Sequence, residues 1–204
     1  MRCIRDPRDL IISGYFYHKR AGEEWCNYIN PCNEDWEIVN GNVPTGIPQD
    51  KSYTEYLNLV SMEEGFAAEM EFRKLHFESM MLWPDNDERI KLFKYEDIIG
   101  KEIKTIREIM KFYDMPALPS FAGSFYAARY SAALNMGRIQ HIRDASNQQW
   151  RKYFTPALQK IFISKYKELL IKYDYPLIWN YSVYSFHEKP FWDRKSTRLN
   201  SSHM

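Results

Sequence analysis

The chain is poor in cysteine, has no long apolar run and carries almost no net charge, and each shortage removes a class of protein. Three cysteines (Cys3, Cys26 and Cys32) in 204 residues are too few, and odd in number, for a disulfide framework. Cys26 and Cys32 have five residues between them, which does not match the short ligand spacing of zinc sites, so no metal is expected. A reducing, cytoplasm-like compartment is the expectation. No stretch approaches the roughly 18 apolar residues that span a bilayer. The opening Met1-Arg2-Cys3-Ile4-Arg5 leaves no room for the apolar region of a signal peptide, so no membrane association is expected. With 28 Lys and Arg against 27 Asp and Glu, the chain has no general basic footprint for nucleic acid. Any anion site must be local.

What is present is apolar and aromatic. A hydrophobic fraction of 45% with 16% aromatics excludes a disordered or low-complexity protein, and the length suits one domain with a sizeable core. Asp6-Pro7 reads as a helix start, with Asp6 as N-cap and Pro7 at the first helical position; the helix runs from 7 to about 20. From 22 to 59 periodicity dissolves around Trp25, Tyr28, Trp36, Pro31, Pro44 and Pro48, as in a long loop that can serve as a lid. Ser61 and Glu64 form a capping box for a helix reaching Trp83-Pro84. A strand follows at 89–95, then a helix at 101–113 with Ile103, Ile106, Met110 and Tyr113 facing the core. Residues 116–142 are mixed and carry no clear pattern. A short helix at 146–153 and a longer one capped by Thr155-Pro156 complete the chain. This alternation predicts an α/β layered domain with a mostly parallel sheet.

Both ends are unusual. Residues 193–204 have no period and read as a non-native tail, leaving a domain of residues 1–192. Only four residues precede the Arg5-Asp6-Pro7 turn, whereas a strand needs five or six, so an N-terminal truncation is the expectation.

Three stretches carry chemistry. Arg5-Asp6-Pro7-Arg8-Asp9-Leu10-Ile11-Ile12-Ser13 places Arg5 at the carboxyl edge of a sheet, where open α/β sheets bind ligands, beside a helix N-terminus. A guanidinium with the Ser13 hydroxyl suits a phosphate monoester. The plainer alternative is a surface Arg5 pairing with Asp9. Tyr95 ends a strand and would point to the same edge if the two strands are parallel neighbours; it would meet an adenine there or simply pack in the core. Arg143 stands just outside the short helix anchored by Trp150 and Phe154, where it would reach an anion or lie in solvent.

In order and spacing these stretches resemble the sulfotransferases that use 3′-phosphoadenosine-5′-phosphosulfate, in their soluble, cytosolic-type branch. Arg5 and Ser13 resemble the 3′-phosphate-binding strand–turn–helix of that family, and Tyr95 in Tyr-Glu-Asp resembles its adenine-contacting tyrosine. Arg143, Trp150, Phe154 and Thr155 keep the spacing of the Arg-Lys-Gly-x-x-Gly-Asp-Trp-Lys-x-x-Phe-Thr signature, with Arg151 in place of the lysine. The likeness runs from residue 2 to about 176. It implies a three-layer P-loop-type fold, present in part, that lacks its N-terminal strand and phosphate loop. It also implies 3′-phosphoadenosine-5′-phosphosulfate as donor and a small-molecule hydroxyl or amine as acceptor. By analogy with phosphoryl transfer, a base would take the acceptor's proton while cations balance charge on the leaving phosphate. Arg5, Ser13, Arg143 and the Ala145 amide would hold the 3′-phosphate, and Tyr95 the adenine.

The departures are specific. Asp144 and Ala145 stand where the family has Lys and Gly, and Gln148 and Gln149 where it has Gly and Asp. An acidic Asp144 beside a phosphate dianion would repel it, and Ala145 can offer its amide only from a negative φ. The Lys-(x)3-Thr-Val-(x)3-Glu segment with which some members dimerise has no match. Neither the Gly- and Lys-containing 5′-phosphosulfate loop nor the usual histidine base is in the chain; Gly41 and Gly46 have P-loop spacing, but Ile47-Pro48 follows them. His18, His76 and His141 read as structural or surface residues, and no catalytic residue is assigned. The chain alone is expected to be inactive. Two rivals are a non-catalytic sulfotransferase-like binding module and a P-loop phosphotransferase; the second requires Walker and Mg²⁺-carboxylate motifs that the chain does not supply.

Overall fold

A computed structural model describes residues 1–84, 87–129 and 144–177. Arg143, His141 and the predicted tail lie outside the described residues. The chain opens with β1 (Arg2–Ile4), which turns at Arg5 into α1 (Pro7–His18). The Asp6 side chain accepts from the Arg8 amide and Pro7 occupies the first turn, so the start predicted from Asp-Pro is the one formed. Far along the chain, β2 (Leu92–Lys94) leads directly into α5 (Tyr95–Ile98). β1 and β2 pair in parallel with Cys3 opposite Phe93 and Ile4 opposite Lys94. Two βα turns therefore end side by side at one sheet edge, in the α/β arrangement expected from strand–helix alternation.

The 22–59 segment is more ordered than its sequence suggests. It contains 3-10 turns at Glu24–Asn27 and Glu34–Val39, and then α2 (Tyr53–Leu59), opened by a Ser52–Glu55 capping box. Trp25, Trp36 and Tyr53 are core residues: Trp25 stacks on Phe72 with centroids 5.1 Å apart and 9° between planes, and Trp36 meets Trp25 edge-on. Indole and phenyl faces packed in this way bury large apolar areas without any helical or strand period. That explains why the pattern was silent. The Ser61–Glu64 box opens α3 (Met62–Phe72) as predicted, but at Arg73 (ψ 6°) the chain breaks and continues as α4 (Lys74–Leu82), so one expected helix is two.

α1 and α3 approach closely because each presents a glycine at their contact. Gly14 faces the Glu69 carboxylate and Gly65 faces the Tyr15 ring, and neither leaves room for a Cβ. Glu69 is fully buried and is held from three sides. His18 Nδ1 lies 2.8 Å from Oε2, the Tyr53 hydroxyl donates to Oε2 at 2.9 Å, and the Arg73 Nε pairs with Oε1 at 2.8 Å. Burial pushes the Glu69 carboxyl up, but His18 and Arg73 pull it down further, and the net direction is downward. His18 thus has the structural role expected of it.

α6 (Glu102–Phe112) and α7 (Ala117–Arg129) form a helical pair, with Gly123 against the Met110 side chain. Ile103, Ile106 and Met110 are half-buried, as the stripe implied, whereas Tyr113 lies past the helix end and is exposed. The segment with no readable pattern contains α7, whose Leu118, Phe121, Phe125 and Tyr126 are exposed while Ser124 is buried. α8 (Trp150–Tyr153) is shorter than the predicted 146–153 helix. α9 (Pro156–Lys172) is capped by the Thr155 hydroxyl, which accepts from the Leu158 amide. That hydroxyl also donates to Glu63 at 2.7 Å and so ties α9 to α3.

Candidate functional site

The sequence places Arg5 at one sheet edge, with Tyr95 beside it if the two strands are parallel neighbours, and the parallel pairing of β1 with β2 meets that condition. Arg5 follows β1 and Tyr95 follows β2. Their side chains meet face to edge of the sheet, the Arg5 guanidinium carbon 4.5 Å from the centre of the Tyr95 ring. A guanidinium over a phenol ring is held by the ring quadrupole while its N–H groups point outward in its own plane. Next to this pair, the turn backbone is latched to the second strand: the Asp6 amide donates to Glu96 Oε1 at 2.8 Å. Glu96 Oε2 also accepts from the Tyr175 hydroxyl.

The third motif closes over this pair. The Arg5 Nη2 donates to the Ser146 carbonyl at 3.0 Å, and the Tyr95 hydroxyl donates to the Ala145 carbonyl at 3.2 Å. The Asp9 carboxylate, one helical turn beyond Arg5, accepts the Trp150 amide at 2.8 Å. Residues separated by 50 to 141 positions in the chain are thus joined by hydrogen bonds within one small region. Arg8 lies beneath it, fully buried. Its Nε and Nη2 bind both oxygens of Asp6 at 2.9 and 2.7 Å, and its guanidinium carbon stands 3.6 Å from the Trp150 ring centre.

Of the predicted site residues, the structure brings together Arg5, Tyr95 and Ala145. Ser13 is exposed on α1, one turn past Asp9, and no hydrogen bond or ion pair joins it to Arg5 among the described residues. Arg143 lies outside them. The plainer reading of Arg5 is present too, since its Nη2 is 3.9 Å from Asp9 Oδ2. That distance is too long for a hydrogen bond. The left-handed residue in the signature segment is Gln148 (φ 56°) rather than Ala145, so the Ala145 amide meets the backbone condition set for it. Asp144 turns its Oδ1 onto the Ser146 amide at 2.8 Å, an Asx-type turn that shapes the same segment.

The residues sequence reasoning missed are Arg8 and Asp9. Both are charged residues on the first turn of a helix, and both are fully buried. Their only signal was the alternation Arg5-Asp6-Arg8-Asp9, which pairs acid with base inside one turn. Desolvation raises the Tyr95 hydroxyl above its ordinary range, with Arg5 opposing. Desolvation also raises Asp9, against the pull of the Trp150 amide and Arg5, to about 6.

The donor nucleotide implied by the resemblance can be tested against this geometry. The Arg5 Nε is buried and has no hydrogen-bond partner among the described residues, which leaves a cationic donor for an acceptor that the protein does not itself provide. The Tyr95 ring offers an aromatic surface beside it. An anionic group attached to a flat heterocycle fits these two residues. Among the described residues no three His, Cys, Asp or Glu side chains gather as a metal site would require, and no helix is long and apolar enough to cross a membrane.

Among solved structures, the chain is similar to mouse sulfotransferase SULT7A1, a crystal structure complexed with PAP, at 16% identity and a TM-score of 0.45. The similarity covers 82% of this chain and 57% of that one, so this chain spans little more than half of the mouse protein. No curated protein matches. The sulfotransferase domain family matches residues 1–174, which contain the βα turns, the Arg5–Tyr95 pair and the Trp150 helix. The chain belongs to the sulfotransferase domain family.

Proposed function

We propose that this chain forms the 3′-phosphate and adenine half of a site for 3′-phosphoadenosine-5′-phosphosulfate, in a protein that transfers a sulfuryl group to a hydroxyl or amine of a small molecule. The observation that carries this reading is the Arg5 guanidinium. It is stacked on Tyr95, anchored at one end to the Ser146 carbonyl, and its Nε has no partner among the described residues. The Ala145 amide is assigned to the same phosphate, as are Ser13 from α1 and Arg143, which directly precedes Asp144 in the chain. Tyr95 is assigned to the adenine.

When bound, the donor supplies the sulfuryl group and a phosphate leaving group. The residues of this chain bind and orient its far end. Charge-assisted hydrogen bonds from Arg5 and Arg143 fix the 3′-phosphate, each worth about 1.5–3 kcal/mol, and Tyr95 limits the rotation of the base. The 204 residues contain no Gly- and Lys-bearing loop for the 5′-phosphosulfate and no assigned base, so the chain is proposed to bind the nucleotide without transferring sulfate by itself. The 22–59 segment is proposed to border the acceptor through its exposed Tyr28, Ile29 and Ile38, while Trp25 and Trp36 root it in the core. The free thiols of Cys3, Cys26 and Cys32 suit a cytoplasmic compartment.

Calorimetry with adenosine 3′,5′-bisphosphate tests the reading. Arg5→Ala and Arg143→Ala are each expected to weaken binding about tenfold or more. Unchanged affinity in both variants removes the assignment. Binding that needs Mg²⁺ would instead favour a phosphotransferase.

A further inference from the structure

Asp9 has no assigned role in the site just described, yet it touches both of its sides. Its side chain is fully buried. Oδ1 accepts the Trp150 amide at 2.8 Å. Oδ2 lies 3.9 Å from the Arg5 Nη2, and the Gln148 amide also stabilises the carboxylate. The neighbouring acid, Asp6, is fully engaged by Arg8 and cannot substitute for it. A buried carboxylate kept at the cost of desolvation, with one oxygen on the first amide of α8 and the other under the Arg5 guanidinium, links α1 to the segment that carries Ala145 and Ser146.

We propose that Asp9 is the positioning residue of the 3′-phosphate subsite: by holding the Trp150 amide it sets the 144–149 segment at the height where Arg5 reaches the Ser146 carbonyl and Tyr95 the Ala145 carbonyl. It acts through these groups and does not touch the nucleotide. This rests on the assignment of the donor half-site made above. A carboxylate that served only to cap a four-residue helix would affect the stability of the whole chain. It would not affect the distinction between a nucleotide with a 3′-phosphate and one without.

The test compares adenosine 3′,5′-bisphosphate with adenosine 5′-phosphate on the full chain and on three variants. Asp9→Ala is expected to weaken the bisphosphate at least tenfold while leaving the 5′-monophosphate within about twofold. Asp9→Asn keeps an acceptor for the Trp150 amide and is expected to retain bisphosphate affinity within about threefold. Equal loss for both nucleotides, or no loss for either, overturns the proposal. Arg5→Ala separates the two levels of the argument. If Arg5→Ala abolishes the preference for the 3′-phosphate and Asp9→Ala does not, Asp9 alone is misassigned; if Arg5→Ala leaves the preference intact, the half-site reading falls and takes Asp9 with it. Should Asp9→Ala fail to fold, hydrogen exchange on the unaltered chain decides. The Trp150 amide is expected to be protected at least tenfold more by the bisphosphate than by the monophosphate, and equal protection contradicts the proposal.

Discussion

Arg8 lies flat against Trp150, its guanidinium carbon 3.6 Å from the ring centre, while both oxygens of Asp6 grip the same guanidinium from the side. The contact joins the first turn of the chain's first helix to the tryptophan of its last motif, and no solvent reaches Arg8. A planar cation is required, because the face stacks and the edge binds in a bidentate fork at the same time. Lysine can do only one of these.

Arg8→Lys keeps the charge and loses the stacked fork, so it is expected to destabilise the chain, by less than the about 3–5 kcal/mol that follows removal of one partner of a buried ion pair. Arg8→Ala, which leaves Asp6 buried without its partner, should cost about 3–5 kcal/mol. Urea unfolding followed by tryptophan fluorescence measures both. Equal stability of Arg8→Lys and the unaltered chain would show that the stack contributes nothing.

Gly14 sets the distance between α1 and α3. A methyl group there would strike the Glu69 carboxylate, which His18, Tyr53 and Arg73 hold in place. Gly14→Ala usually favours a helix by its intrinsic propensity. Here overpacking dominates, and a loss of about 1–3 kcal/mol is expected. A rise in Tm would mean that the two helices can separate without cost.

Asp9 gives stability an unusual pH dependence. Its carboxyl is raised from 3.8 to about 6 by burial, against the Trp150 amide, so ionising it opposes folding. Its favourable contribution is complete below pH 4 and is lost as the pH rises through 6. Asp9→Asn does not ionise, so it is expected to be more stable than the unaltered chain by about 2–3 kcal/mol at pH 8. That advantage should shrink to nothing near pH 4. Denaturant titrations at both pH values check the sign; a pH-independent difference contradicts it.

Gln148 adopts φ 56° at the position where the family signature has glycine. An unbranched L-residue held there costs about 1–2 kcal/mol, and glycine does not. Gln148→Gly is expected to raise stability by about 1 kcal/mol, measurable as a higher urea midpoint with an unchanged m-value. A lower midpoint would mean that the glutamine side chain contributes more than its backbone costs.

How much of this was legible in the sequence depended on the kind of signal. Caps were readable because they are local: Asp6-Pro7, Ser61–Glu64 and Thr155-Pro156 each start a helix where expected. The meeting of Arg5 with Tyr95 followed from two strand ends and one condition, parallel pairing, which β1 and β2 satisfy. The aromatic core from Trp25 to Tyr53 was not readable, because rings packed by shape leave no period. The break at Arg73 inside an apolar stripe was hidden for a related reason, since the stripe continues across it. Arg8, Asp9 and Glu69 were missed because a buried charge looks in sequence like an exposed one. Only the partners from distant segments, Trp150, His18 and Tyr53, reveal the difference.

A crystal structure of this chain soaked with adenosine 3′,5′-bisphosphate shows whether Arg5 and the 145–146 segment receive a 3′-phosphate. Phosphate density is expected within hydrogen-bonding distance of the Arg5 Nε and the Ala145 amide, with the adenine against Tyr95. A nucleotide bound elsewhere, with no acceptor at the Arg5 Nε, would overturn this assignment.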